Sequence, residues 1–432
     1  MNLPTLLKYI LIGTVVYAAF VLAKQKYDEY LFLENYTLLE DKNFEQHLVE
    51  RGIDTDSTVN GRIANVDARK VKSLLLNDKD IKSLKGIASF KNLAHLYCVS
   101  NQLQKLDISS NDALVSLYCH RNKLTELDVS KNLELTHLEC SANQIEEIDV
   151  SANTSLELLG VGANPIKKLD LSTNKTLEKL WVGKTQIERL DISGNQNITT
   201  LYCRQGTLRE IVLPKDSSQL KALYCDGNRI KELNLASLSL LENLQCFGNE
   251  LKSLDLSANL NLKELDCSEN KLRRLDLINM RRLKRMSCDK NEIVELKLNG
   301  CSKLEYISCE FNKIDEIDLS TNMALVTLNC RFNLLKELNI DANHKLSALD
   351  FMNNQLDKIN LSECPRLHII SGVGNRLEWV NLSNVEAKGI VKLTENSAHL
   401  KICVTEHSKN TRLKWRIDPS AQFVLDCSGY GE

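Results

Sequence analysis

Apolar side chains recur along this chain at a fixed interval. From Leu93 the sequence reads LAHLYCVSNQLQKLDISSND, from Leu114 LVSLYCHRNKLTELDVSKNL, and from Leu262 LKELDCSENKLRRLDLINM. The interval is 21 residues, and the sixth position of each unit marks it at Cys98, Cys119, Cys140, Val161, Val182 and Cys203. One 22-residue step leads to Cys225, after which steps of 21 resume through Cys246, Cys267, Cys288, Cys309, Cys330, Phe351 and Gly372. A degenerate leading unit is centred on Leu76, so fourteen regular units and one leading unit occupy roughly residues 71–395. In L-x-x-L-x-C the apolar positions alternate toward the end, which predicts a short strand with one buried face. The Asn three residues on (Asn101, Asn122, Asn143 and their equivalents) is expected to turn the chain, its amide satisfying backbone groups of the neighbouring coil. A second apolar pair, Leu106 and Ile108 in the first full unit, turns inward again. No unit of this size buries its apolar face alone. Stacked at a strand spacing of ~4.7–4.9 Å, fourteen of them form one continuous core on the order of 65 Å long.

Composition narrows the class. The 432 residues carry 55 Lys and Arg against 57 Asp and Glu, with 43% hydrophobic residues. These values exclude a disordered polar chain, a collagen-like chain and a polytopic membrane protein. The even charge argues against nucleic-acid binding by gross electrostatics. No GxSxG, P-loop, HExxH or Rossmann glycine pattern is present, and the carboxylates recur with the repeat instead of converging. The reading is of a protein that is not an enzyme, with no cofactor, no metal and no evident small-molecule substrate.

The LxxLxCxxNxLxxLDLSxN units resemble the short-period bacterial type of the leucine-rich repeat family over about three quarters of the chain. The segment NFEQHLVERGIDTDSTVNGRI through VKSLLLNDKDIKSLKGIASFKNLAHL is similar to the amino-terminal cap of secreted Bacteroidetes-type members. LKICVTEHSKNTRLKWRIDPSAQFVLDC is similar to a carboxy-terminal cap of the same group. The resemblance implies a right-handed solenoid, a horseshoe or arc. A parallel β-sheet would line its concave face, with short strands or irregular turns on the convex face and a role in binding proteins. The organisation expected is a membrane anchor or signal segment at 1–26, a linker and cap at 27–70, the solenoid at 71–395 and a second cap at 396–432.

Ten of the 14 Cys fall on the marker column. A thiol there acts as a small hydrophobe, and Val161, Val182 and Phe351 show that the slot needs volume. Stacked Cβ atoms ~4.8 Å apart lie outside the ~3.5–4.5 Å a disulfide prefers. Without a CxxC pair, zinc has little support. Cys301, Cys364, Cys403 and Cys427 lie off the column. Cys403 and Cys427 bracket the final cap, and a bridge between them would contribute ~3 kcal/mol. The alternative is two free thiols in a reducing compartment.

Residues 9–23, YILIGTVVYAAFVLA, are uncharged and read as an uncleaved single-pass anchor, with Lys8 able to snorkel. A signal peptide cleaved before Lys24 is the alternative. Lys24 and Lys26 favour a cytoplasmic carboxyl side, whereas the family resemblance and the cap bridge favour export. The expected location is the bacterial cell envelope, with the repeats exported to the periplasm, or secretion after cleavage. The stretch LFLENYTLLEDKNFEQHLVERG has helical spacing that ends at Gly52. Asp54, Asp56 and Asn60 imitate half a calcium loop but lack its sixth-position glycine and terminal ligands, so they read as a turn.

The residue before the marker column should face outward from the sheet. That column runs Tyr97, Tyr118, Glu139, Gly160, Trp181, Tyr202, Tyr224, Gln245, Asp266, Ser287, Ser308, Asn329, Asp350 and Ser371. Five of its first seven members are aromatic in a chain that is 5% aromatic. Exposed Tyr and Trp offer stiff, amphipathic contact area at low entropic cost. Tyr97, Tyr118, Trp181, Tyr202 and Tyr224, with His95, His120, Arg204 and Phe247 on adjacent columns, form the candidate binding stripe. A notch is expected at Gly160 and Gly162. The bland reading is that stacked rings only stabilise neighbouring strands. The later rungs bring Glu264, Asp266, Arg285, Asp289, Lys290, Glu310 and Arg331 together, with Phe311 and Phe332 at a rim. The Asp column from Asp107 to Asp191 reads as turn stabilisation, and the 22-residue step near Gly206 as a bulge. The functional expectation is a protein-interaction scaffold tethered to the envelope by its amino-terminal helix, or else a surface adhesin for host protein or glycan.

Overall fold

The computed structural model describes residues 3–216, 218–385, 389–406 and 415–427. The chain divides into two compact units, Met1–Pro165 and Ile166–Glu432.

In the first unit the helix Leu3–Asn35 is 33 residues long. The expected membrane span is not supported: among the described residues no helix is long and apolar enough to cross a membrane. Lys24, Gln25, Lys26, Asp28 and Glu29 continue the same helix as an exposed polar stretch. The helical spacing read through Gly52 is also interrupted. Tyr36–Leu38 leaves the helix to pair antiparallel with Arg62–Ala64. A new helix, Lys42–Glu50, starts at Asp41, whose carboxylate accepts the Asn43 and Phe44 amides. Its Phe44 and Leu48 are fully buried, and Phe44 meets Phe90 with ring centroids 6.1 Å apart. The Asp54–Asn60 turn is internally bonded: Asp56 accepts the Thr58 amide at 2.9 Å and the Asn60 side chain at 2.7 Å.

Beyond this cap, three-residue strands repeat with the sequence period. Ser73–Leu75, His95–Tyr97, Ser116–Tyr118, His137–Glu139 and Leu158–Gly160 pair parallel, in register, each with the next. In the second unit the parallel sheet runs from Lys179–Trp181 through Thr200–Tyr202, Ala222–Tyr224 and Asn243–Gln245 to Glu264–Asp266. It continues rung by rung to Ile390–Leu393 and Trp415–Ile417. Short parallel pairs on the other side of the coil join Arg189–Asp191 to Glu210–Val212 and Arg274–Asp276 to Glu295–Lys297. A further set stacks Lys358–Asn360, Trp379–Asn381, Lys401–Cys403 and Gln422–Val424.

The middle residue of each sheet strand points inward: Leu96, Leu117, Leu138, Leu201, Leu223 and Leu244 are fully buried. The marker column lies behind it, equally buried, and the ten column thiols are free. Burial pushes the Cys98 and Cys225 thiols up to about 12, so neither supplies thiolate near neutral pH.

Two columns of amides hold the coils together. In the first, Asn249 donates to the Cys225 and Cys246 carbonyls at 3.0 and 3.1 Å, while its oxygen accepts the Ile230 amide at 3.0 Å. One side chain thus satisfies groups from two coils that would otherwise be buried without partners. The residue before the ladder Asn takes a left-handed backbone: Ser100, Arg121, Ala142 and Phe311 all have φ of 53–56°. The second column repeats the device at the other turn, where Asn259 donates to the Leu235 and Leu238 carbonyls. Cys301 and Cys364, unexplained by the sequence, occupy this second column. Their thiols donate to the Leu277 and to the Ile340 and Asn343 carbonyls in the place of an amide. At the carboxyl end Cys403 and Cys427 form a disulfide with Cα atoms 5.4 Å apart.

Candidate functional site

Parity decides which residues reach the outer side of the sheet. In each three-residue strand the first and third side chains share one face, opposite the buried middle Leu. His95 and Tyr97 therefore lie together, as do Thr200 and Tyr202, and the next same-side position carries His120, Arg204 or Phe247.

In the first unit Tyr97 and Tyr118 stack with centroids 5.1 Å apart and planes 12° from parallel. Both rings and His95 are half-buried. Burial first, then the neighbouring Tyr97 and Glu139, raises the Tyr118 phenol above its ordinary value. Burial holds His120 below the usual histidine range, against the opposing pull of Glu139. Glu139 and Gly160 follow on the same column, and Glu139 is only 5% exposed.

In the second unit Trp181 meets Tyr202 edge-on at 6.3 Å, and Tyr202 stacks on Tyr224 at 4.5 Å with planes 1° apart. The Arg204 guanidinium lies 5.3 Å from the Tyr224 ring centre. It donates to Asp226, which is 1% exposed, and to the Gln245 side chain. This fixes a cationic edge beside the rings before any ligand arrives. Next to it, Gln245, Asp266, Arg285, Ser287 and Tyr306 line a depression of about 190 Å³, with Arg285 4.4 Å from the Tyr306 ring centre. Phe247 sits half-exposed past Gln245 and joins no ring pair among the described residues. The first amide ladder is interrupted under these rings. Thr185 replaces one Asn and donates to the Val182 carbonyl, and the Gly206 amide donates to Asn228.

Further along the second unit the same outward positions carry polar groups. Asp289 accepts the Ser308 hydroxyl at 2.7 Å and the Glu310 amide at 2.8 Å. Burial raises the Asp289 and Asp350 carboxyls above their ordinary values. Burial also pushes on Glu310, but hydrogen bonds from Arg331 and Asn329 outweigh it and hold that carboxyl down. Phe311 and Phe332 stack at 4.2 Å and are 42% and 38% exposed. Both hold the left-handed turn position, which costs an L-residue about 1–2 kcal/mol. The sequence put them at a rim; neither the stacking nor the backbone was readable there. On the opposite side, Asp107, Asp128, Asp149 and Asp191 each accept the amide of the Ser two residues on. Hydrogen bonds from that Ser lower the Asp107 carboxyl. Among the described residues, no group of three His, Cys, Asp or Glu could hold a metal ion.

A parallel coil of about 16 turns with an Asn ladder is the leucine-rich repeat solenoid. Among solved structures the chain is similar to the functional domain of InlJ from Listeria monocytogenes, which includes a cysteine ladder. The identity is 29%, over 79% of this chain and 76% of that one, with a TM-score of 0.73. It also resembles the internalin InlF of the same organism, at 17% identity over 90% and 97% of the two chains and a TM-score of 0.54. A leucine-rich repeat protein of Leptospira interrogans matches at 19% identity over 83% and 84%, with a TM-score of 0.50. No protein-family model and no curated protein matches the sequence. The likeness supports a bacterial leucine-rich repeat protein and indicates a protein–protein interaction scaffold.

Proposed function

We propose that the protein binds a protein partner on the outward side of its parallel sheet, with the Trp181, Tyr202 and Tyr224 rings as anchors. The observation that carries this reading is the ring row itself, flanked by an Arg204 that Asp226 and Gln245 lock in place. Rings that served only the fold would need neither a half-exposed Trp nor a preset guanidinium. Partly buried aromatic and Arg side chains are the groups that dominate protein interfaces. In the first unit the Tyr97–Tyr118 stack, with His95 and His120, offers a second anchor of the same kind.

The same proposal puts the protein in the bacterial envelope, with its repeats outside the cytoplasm. The Cys403–Cys427 bond supports this, since such bonds persist in oxidising compartments. The relation to Bacteroidetes-type secreted members belongs to the same proposal. Fractionation tests the location: recovery with the envelope supports the scaffold, whereas recovery from the medium favours an adhesin.

The binding test is the double variant Trp181→Ala, Tyr202→Ala. Partners captured from native envelope by the wild-type protein should bind the variant at least about 30-fold more weakly, as loss of a hot spot of ~2 kcal/mol requires. The circular dichroism spectrum should be unchanged. Equal affinity in a titration, with the fold intact, rejects the site.

A further inference from the structure

Two carboxylates on the outward side of the sheet carry arginine partners in the second unit. Asp226, 1% exposed, receives Arg204, and Glu310 receives Arg331. Glu139 in the first unit has no such partner. It is 5% exposed, its Oε1 accepts the Ser141 amide at 3.0 Å, and its Oε2 has no hydrogen-bond partner. It forms no ion pair among the described residues. The groups that face it are Tyr118 on the preceding strand, His120 and Gly160. A Cβ at Gly160 would lie 1.8 Å from Oε2, so the carboxylate rests across the bare backbone of the next strand and would have to turn away from any larger residue. Burying a charge without a counter-charge is costly, and the missing element is the cation that the second unit supplies from within.

We propose that Glu139, between the Tyr97–Tyr118 stack and the Gly160 notch, receives a basic side chain, lysine or arginine, presented by the protein partner. This rests on the reading of the sheet as a docking surface. The carboxylate turns off Gly160 as the cation arrives, and Oε2 gains the donor it lacks. The Tyr118 ring forms one wall of the slot and offers its face to the cation. The preference is for a side chain with an N–H donor and a positive charge, not for an apolar one of equal length.

The full-length protein is titrated with the amides of N-acetyl-arginine, N-acetyl-lysine and N-acetyl-norleucine, and binding is read by saturation-transfer NMR. The basic probes should give transfer and the neutral apolar probe should not. Glu139→Gln should weaken the basic probes about ten-fold, the size expected for one charge-assisted hydrogen bond. Gly160→Ala keeps the carboxylate and blocks only its unbound resting place, so it should bind the basic probes at least as tightly, and this decides the matter if Glu139→Gln does not fold. Tyr202→Ala should leave probe binding unchanged. Equal transfer to norleucine amide, full arginine binding by a folded Glu139→Gln protein, or loss of basic-probe binding by a folded Gly160→Ala protein overturns the slot. These readouts use no native partner, so a failed slot is distinguishable from a failed partner test at Trp181 and Tyr202.

Discussion

From Trp181 to Tyr224 the outward third residue of each strand is aromatic, while from Asp266 to Asp350 it is Asp, Ser or Asn. Beneath both stretches lie a buried Leu, Ile or Met and then a buried Val, Cys or Phe, with turns tied by Asn except at Thr185 and Gly206 under the first rings. The rings meet each other at 4.5–6.3 Å and need few polar partners. The acidic stretch instead satisfies itself through Ser308, Asn329 and Arg331. The difference shows that stacking energy resides in the inward columns, which leaves the outward columns free to be chosen for binding.

That separation is most severely tested at the ladder. Asn228, under Tyr224, donates to the Cys203 and Cys225 carbonyls and accepts the Leu208 amide. Asn312, in the acidic stretch, donates to Cys288 and Cys309 and accepts Ile293. Each leaves several buried backbone groups unpaired when truncated. Asn228→Ala and Asn312→Ala should therefore each cost about 3–5 kcal/mol in urea unfolding, and by similar amounts. A large loss at one and none at the other would break the equivalence of the two interiors.

The charged pairs sharpen the contrast at a smaller scale. Arg204→Ala strands a carboxylate that is 1% exposed, whereas Arg331→Ala strands Glu310, which is 13% exposed and keeps the Asn329 amide. Both arginines are themselves more than a third exposed, so solvent softens the loss. We expect about 2 kcal/mol for Arg204→Ala and about 1 kcal/mol for Arg331→Ala in thermal or urea unfolding. The reverse order would mean that the aromatic stretch tolerates an unpaired charge better than the acidic one.

The smallest effect depends on pH. Burial raises the folded-state Asp289 carboxyl above its unfolded value. Its ionised form is then a penalty, fully present above the folded pKa and relieved as pH falls below the unfolded value near ~4. Asp289→Asn keeps an oxygen to accept the Ser308 hydroxyl and the Glu310 amide. It should stabilise the protein by a few tenths of a kcal/mol at about pH 7, with the gain fading toward about pH 3. Unfolding curves at the two pH values check this. A loss of stability at neutral pH would show that the carboxylate charge is used by the fold.

Much of the fold was readable because a 21-residue period repeats one physical problem many times. The parity of Leu96 and Cys98 made the strand, and the place of Asn101 made the ladder. Cys301 and Cys364 were opaque because a thiol says nothing of which carbonyl it will meet. The amino-terminal stretch misled for a different reason. Its spacing suggested one helix through Gly52, but the pairing of Tyr36–Leu38 with Arg62–Ala64 overrode the local pattern. Of the site, the column of Tyr97, Tyr118, Trp181, Tyr202 and Tyr224 followed from parity alone. The lack of any ring partner for Phe247, the Phe311–Phe332 stack and the Arg204–Asp226–Gln245 lock did not.

The sequence by itself determined the coil, its buried columns and the list of outward residues, since period and parity are local properties of the backbone. Only the tertiary structure decided which outward groups meet across strands, because neighbours in a stack are some 21 residues apart in the chain. Burial of Glu139 depends on a side chain that Gly160 lacks on the next strand. No reading of residue 139 alone contains that fact.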